Sequence, residues 1–376
     1  MNAVSLFANI GVAEALLSEV GIEVVVANEI EKRRADLYSK IYPKSQMICG
    51  DINDENIFKQ IRNVCIEKKV QVLIATPPCQ GMSPAGRQNE YDERNSLIMP
   101  VIKMIGEIKP NYVFIENVPM FFNTAIVVDD KKILIPNLLN QELEEDYIIN
   151  FYVIDTKDYS VPQTRERAIV LMTKKTQQKE WTMPPKDEKI ITMREAIGDL
   201  PSIDPFIKDI SEQQLLEVFP QFYEKKNIAL GISRWNIPPH HVMRQVKAMM
   251  HTPSGKTAFD NKVYFPTKKN GEPVKGYKNT YKRQNWDTPA YTVTMDNRKI
   301  SSQNNVHPGR YLGQNSNGED IYSDARTLTL YEIMIIMSLP KNWPVPNTTS
   351  EAFLRRIIGE GIPPLFVKKV FEYLLR

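Results

Sequence analysis

The sequence predicts an α/β fold in which a mostly parallel sheet, covered by helices on both faces, is joined to a smaller irregular region. Three observations carry this. Near-continuous apolar runs recur through the first 172 residues, and runs without polar alternation belong to strands buried on both faces. Each is followed by a segment with the 3.6-residue period of a helix. After about residue 174 the alternation stops, and prolines, glycines and short aromatic runs take over until Leu328.

Element by element, Ala3 to Phe7 is a short buried strand, followed by Gly11 and a helical pattern over Val12 to Val20 that Gly21 closes as a C-cap. Ile22 to Ala27 is a second strand ending in Asn28-Glu29, with a helix over Glu31 to Ile41. Gln46 to Cys49 is a third, ending at Gly50-Asp51. A helix carrying Ile57, Phe58, Ile61, Val64 and Cys65 comes next. Val70 to Ala75, a helix over Leu97 to Ile108, and Tyr112 to Ile115 complete the βα series. Tyr147 to Ile154 and Ala168 to Met172 add two more strands. A helix begins after Leu328, and the last apolar helix, Leu365 to Leu375, should dock back on the first domain.

The chain has 376 residues, room for two domains at roughly 150 residues each. With 42% hydrophobic and 25% charged residues it is not a mainly disordered chain. Its three cysteines, Cys49, Cys65 and Cys79, cannot form a disulfide framework, and the odd count points to reduced thiols in a cytosolic protein. No apolar run is long enough to span a membrane, so no membrane association is expected. The net charge of +3 conceals an imbalance. Between Arg244 and Arg310 lie 13 Lys+Arg against 4 Asp+Glu, which is +9 and leaves −6 on the remainder. Tyr264, Phe265, Tyr277, Tyr281, Trp286 and Tyr291 are interleaved with these cations. Such a segment suits a polyanion like nucleic acid, or is a solvated basic face.

In open α/β sheets ligands sit outside the carboxyl ends of the strands, and here nearly every end carries chemistry. Phe7-Ala8-Asn9-Ile10-Gly11 is a tight turn after the first strand. Glu29 could accept from a ribose diol and Asp51 from an adenine amino group, which together suggest a nucleoside-containing cofactor. The fourth strand ends in Thr76-Pro77-Pro78-Cys79-Gln80-Gly81, where two prolines stiffen the chain before a thiol that is either a nucleophile or a small buried hydrophobe. The fifth ends in Glu116-Asn117-Val118, whose carboxyl could be desolvated and donate a proton. Gln163-Thr164-Arg165-Glu166-Arg167 sets two guanidiniums beside a strand, suited to phosphate and carbonyl groups or to a salt-bridge ladder. His240, His241, His251 and His307 show no metal-ligand spacing with cysteine, so no metal is expected.

In this order the motifs resemble the DNA cytosine-5 methyltransferases, of the bacterial restriction–modification type, over most of the chain. The match resumes with Arg326-Thr327-Leu328-Thr329, Glu332, Leu339-Pro340 and Gly359-Glu360-Gly361-Ile362-Pro363-Pro364. The resemblance implies a Rossmann-like class I S-adenosylmethionine-dependent domain over residues 1–178, completed by 350–376. Residues 179–349 would form the target-recognition domain and hinge. It implies Cys79, Glu116, Arg165 and Arg167 as catalytic residues. Phe7, Asn9, Gly11, Glu29, Asp51, Ile52, Pro77 and Glu360 would hold the cofactor. Gln80, Ser83, Arg87, Asn117 and Gln163 would contact the substrate, double-stranded DNA whose target cytosine is flipped out. Cys79 would add to carbon 6 while Glu116 protonates or hydrogen-bonds N3, and Arg167 would bind the base. A monomer is implied, working beside a possible cognate restriction endonuclease. A tRNA cytosine-5 methyltransferase and a catalytically silent DNA-binding relative are the alternatives. The chain departs from the family twice: Asn9 stands where the first turn usually has glycine, and Glu360 where the last block usually has asparagine.

Overall fold

A computed structural model describes residues 1–78 and 96–376. Cys79, Gln80, Ser83 and Arg87 lie outside the described residues. Among those described, the strands β1 (Asn2–Leu6), β2 (Glu23–Glu29), β3 (Gln46–Cys49), β4 (Val72–Ala75) and β5 (Tyr112–Asn117) pair in parallel. A hairpin, β6 (Ala125–Val128) and β7 (Lys131–Leu134), precedes β8 (Tyr147–Asp155) and β9 (Glu166–Lys174). The sheet order is β3-β2-β1-β4-β5-β9-β8, with β9 antiparallel to both neighbours. The order reverses between β1 and β4, which opens a crevice at their carboxyl ends. Every residue of β4 and β5 is buried, the physical counterpart of their unbroken apolar runs.

Helices α1 (Lys32–Ile41), α2 (Glu55–Glu67), α3 (Ile98–Ile108) and α4 (Ile135–Leu143) cover the sheet. Asp54 caps α2 by accepting from the Asn56 and Ile57 amides. One core forms where Leu6, Leu73 and Ile115 meet α2, α3 and α4. The opposite core packs Ala3, Val72 and Phe114 against Trp181 and the C-terminal helix. The C-terminal helix returns to the sheet as expected, and the Trp181 indole donates to its Val370 carbonyl at 3.1 Å.

The expected helix over Val12 to Val20 is instead a series of tight turns ending in a 3-10 helix, Leu17–Val20, with Gly21 as its left-handed cap. The amides of Glu14, Ala15 and Leu17 bond three residues back rather than four. Glu14 is drawn inward, where its carboxyl accepts from the Tyr38 hydroxyl, while Tyr42 donates to the Gly11 carbonyl. These side-chain anchors outweigh helical propensity.

The irregular region contains more helix than its composition suggests. It holds α5 (Met193–Ile197), α6 (Glu212–Val218), α7 (Phe222–Ile232) and α8 (Met243–Met250), and then a hairpin of β10 (Tyr311–Gln314) and β11 (Asp320–Tyr322). α9 (Leu330–Ile336), α10 (Glu351–Glu360) and α11 (Pro364–Leu375) finish the chain. One core is internal to this region, with Ile203, Phe222, Val246, Ile300 and Ala325. Another joins Ile10, Val12 and Leu37 to Trp286, Ile333 and Ile357. With few sheet ladders to satisfy its backbone, this region uses buried guanidiniums. Arg283 donates to the carbonyls of Met249, His307, Ser323 and Asp324, and Arg355 donates to Leu328.

Candidate active site

The turn after β1 is held in an unusual backbone conformation. Phe7, Asn9 and Gly11 have φ of 58°, 53° and 77°, in the left-handed region. A Cβ on Gly11 would lie 2.2 Å from the Tyr42 ring, so glycine is required there on two counts. The turn aims the Asn9 amide at Glu29, whose carboxylate accepts it at 2.9 Å and the Glu31 amide at 2.8 Å. Burial raises the Glu29 carboxyl above its ordinary value, while the hydrogen bonds and nearby Arg34 work against that rise. Asp51 is exposed, with Oδ1 accepting from the Asn53 amide, and Ile52 belongs to the sheet core. Glu360, at the end of α10, takes the Asn9 side-chain amide at 3.2 Å and Arg34 at 2.6 Å. The two departures from the family pattern, 351 residues apart, are therefore hydrogen-bonded to each other.

At the ends of β5 and β9, Glu116 meets the Arg167 guanidinium at 2.6 Å, both largely shielded from solvent. The antiparallel register, Glu116 opposite Ile169 and Asn117 opposite Ala168, brings the start of β9 to the end of β5. Asn117 donates to the Pro77 carbonyl at 3.1 Å and accepts from the Val118 amide, tying the end of β5 to the two prolines that lead into Cys79. Three residues expected at the substrate are thus engaged with the protein's own groups. Besides Asn117, Gln163 accepts from the Val293 amide at 3.0 Å, and Arg165 donates to the carbonyls of Val293 and Gly359 at 2.9 Å each. Gln163 and Arg165 tie the sheet to the second region, and of the two motif arginines only Arg167 faces Glu116.

Residues that sequence reasoning passed over lie directly behind the turn. Glu14 is fully enclosed, and burial pushes its carboxyl up to about 7 despite hydrogen bonds from Ser5 and Tyr38. Because the folded value exceeds the unfolded one near 4.5, the stability contributed by this one group is fully present below pH 4.5 and is lost as pH rises through about 7. Glu14→Gln should therefore stabilise the protein at pH 8 by roughly 3 kcal/mol. Thermal melts of both proteins from pH 5 to 8 test this, and a gap that does not narrow toward pH 5 would contradict it. Arg34 was also missed, because Lys32-Arg33-Arg34 reads as a solvated helix start and its partner is 326 residues away.

The basic segment divides. Lys256, Lys262, Lys268, Lys269, Lys275 and Lys278 are exposed, and so is Tyr277 at 81%. Arg283 is internal, Tyr281 and Trp286 are core residues, and Tyr264 is stacked on His251 at 3.7 Å. Most of the interleaved aromatics therefore hold the region together, and the lysines form its charged surface. Among the described residues no group of His, Cys, Asp or Glu is arranged to hold a metal ion, and no helix is long and apolar enough to cross a membrane.

The chain is 44% identical over 371 residues to Type II methyltransferase M1.HgaI of Avibacterium volantium, covering 97% of this chain and 96% of that protein. It is 23% identical to Type II methyltransferase M1.HphI of Haemophilus parahaemolyticus over 99% of this chain and 86% of that one. Among solved structures, a prophage-encoded E. coli protein described as a DNA modification methyltransferase superposes with TM-score 0.66 at 18% identity, covering 100% of this chain and 98% of that one. Spodoptera frugiperda DNMT2 superposes with TM-score 0.55 at 16% identity and the same coverage, so these two speak for the fold. The model of the C-5 cytosine-specific DNA methylases matches residues 1–376, and the chain belongs to that family.

Proposed function

We propose that the protein methylates carbon 5 of a flipped-out cytosine at a specific site in duplex DNA, with Cys79 as nucleophile and Glu116 and Arg167 as the base-binding pair. The observation that carries this reading is the Glu116–Arg167 pair at 2.6 Å, beside the Pro77 carbonyl that Asn117 holds just upstream of Cys79. Carbon 5 of cytosine is a poor nucleophile, so the ring must first be made electron-rich. The Cys79 thiolate adds to carbon 6, forming the C–S bond, and the displaced electron pair is neutralised at N3 by a proton from Glu116. Arg167, already positioned against Glu116, donates to the O2 carbonyl and keeps the two groups in register with the ring edge. When bound, S-adenosylmethionine supplies the methyl group that carbon 5 accepts. Loss of the carbon 5 proton to a base then expels the thiolate, and the N3 proton returns to Glu116, leaving neutral 5-methylcytosine.

The residues at the β1 turn fit this cofactor. Glu29 keeps an oriented carboxylate suited to a ribose diol, and Asn9 Oδ1 is buried with no hydrogen-bond partner among the described residues, leaving an acceptor for a ligand donor. The exposed lysines between 256 and 278 suit the DNA backbone. The Type II naming of the relatives supports a protective role beside a cognate restriction endonuclease.

Incubation with S-adenosylmethionine and a cognate duplex carrying 5-fluorocytosine should leave a denaturation-resistant covalent complex, because fluorine cannot depart as a proton. Cys79→Ala should form none. Bisulfite sequencing of DNA from a host expressing the protein identifies the site. Methyl transfer to tRNA with none to duplex DNA would overturn the reading.

A further inference from the structure

Arg34 lies outside every motif, yet it joins three distant parts of the chain. Its guanidinium reaches Glu360 at 2.6 Å and, at the N-cap of its own helix, Glu31 at 2.8 Å. Glu360 in turn receives the Asn9 side-chain amide. The backbone of the same α10 end is held from the opposite side, where Arg165 donates to the Gly359 carbonyl at 2.9 Å and to the Glu360 carbonyl at 3.3 Å. Gly359 leaves no room to shift, since a Cβ there would come within 2.4 Å of the Thr294 carbonyl oxygen. The segment is thus gripped between the β1 turn, α1, the residue preceding β9 and the second region.

The charges explain why a cation is needed. Asn9 is hydrogen-bonded to two carboxylates, Glu29 through its backbone amide and Glu360 through its side chain. Arg34, at 2.6 Å, is the nearer of two guanidiniums at Glu360, the exposed Arg356 being at 3.9 Å, and it is the one near Glu29, where it offsets the repulsion between the two carboxylates. With Nδ2 given to Glu360, the Asn9 carboxamide has one orientation, and its Oδ1 is a buried acceptor with no partner among the described residues.

We propose that Arg34 is a positioning residue for the cofactor, acting through Glu360 to orient the Asn9 carboxamide so that Oδ1 receives a hydroxyl or ammonium donor of the bound cofactor. This rests on the cofactor reading above. Arg34 does not touch the reacting atoms. Its effect falls on cofactor affinity, and turnover at saturation is spared.

The test uses the full chain, titrated calorimetrically with S-adenosylhomocysteine and assayed for methyl transfer to duplex DNA. Arg34→Met should weaken binding and raise KM for S-adenosylmethionine by about tenfold, with kcat changed less than about twofold. Arg34→Lys should recover most of the loss. Introduced into Glu360→Gln, Arg34→Met should cost much less than it does alone, because the two share one interaction. Unchanged binding by Arg34→Met overturns the proposal. So does a fall in kcat with KM intact, or a lowered melting temperature that accounts for the whole loss. Failure of the unaltered protein to bind S-adenosylhomocysteine would instead remove the cofactor reading, and the proposal with it.

Discussion

Glu116→Gln should lower methyl transfer to a cognate duplex by about 10²- to 10⁴-fold, the range lost when a positioned proton donor is removed. Glutamine has nearly the same shape and can still hydrogen-bond to N3, but it cannot deliver a proton. The electron pair displaced by the Cys79 thiolate would then remain on the ring, and the adduct would collapse back. Fold and duplex affinity should survive, because Glu116 lies at a strand end and pairs with the Arg167 guanidinium at 2.6 Å. The predicted signature is a fall in single-turnover rate with DNA affinity nearly unchanged, together with slower trapping on 5-fluorocytosine. A rate within threefold of the unaltered enzyme would remove Glu116 from the proton-transfer role.

Arg326→Met should destabilise the protein by about 3–5 kcal/mol, the cost of breaking a buried ion pair from one side. Arg326 is fully buried between Asp324 and Glu332, each 2.9 Å away, and it also donates to the Ile203 carbonyl. Burial alone would raise the Glu332 carboxyl, but Arg326 overrides this and holds it below its ordinary value. His307 cannot take over the positive charge at pH 7, because burial pushes it down to about 4. Methionine fills the space, leaves the buried Glu332 carboxylate without its guanidinium, and leaves Asp324 with the more distant Arg310 at 3.6 Å. Denaturant titration measures the loss, and duplex binding should fail at lower denaturant than cofactor binding, since the cluster ties together the region carrying the exposed lysines. A loss below about 1 kcal/mol would show that the carboxylates find other partners.

How much was legible in the sequence differed from one part of the chain to another. β4 and β5 could be read because strands buried on both faces must be apolar without interruption, and the strand ends showed their chemistry because polar residues follow such runs abruptly. Glu116 and Arg167 were both visible, 51 positions apart in sequence, but their pairing depends on β9 running antiparallel to β5, which no local pattern encodes. The residues after Gly11 followed helical periodicity and still became tight turns, because Tyr38 and Tyr42 on α1 capture Glu14 and the Gly11 carbonyl. In the basic segment, charge and aromatic content were plain from composition. Composition could not separate the exposed lysines from Arg283, whose four carbonyl partners come from three separate points of the chain.

By itself the sequence determined the βα series, the return of the last helix to the sheet, and the chemical groups offered at each strand end, since all three depend on local pattern and residue type. Only the tertiary structure decided which of those groups meet. It turned Asn117, Gln163 and Arg165 onto the protein's own backbone and set Arg167 against Glu116. It also joined Asn9 to Glu360 with Arg34 beside them. Hydrogen bonds and ion pairs act over a few ångströms, and the partners in each of these contacts become neighbours only after the sheet and α10 have packed.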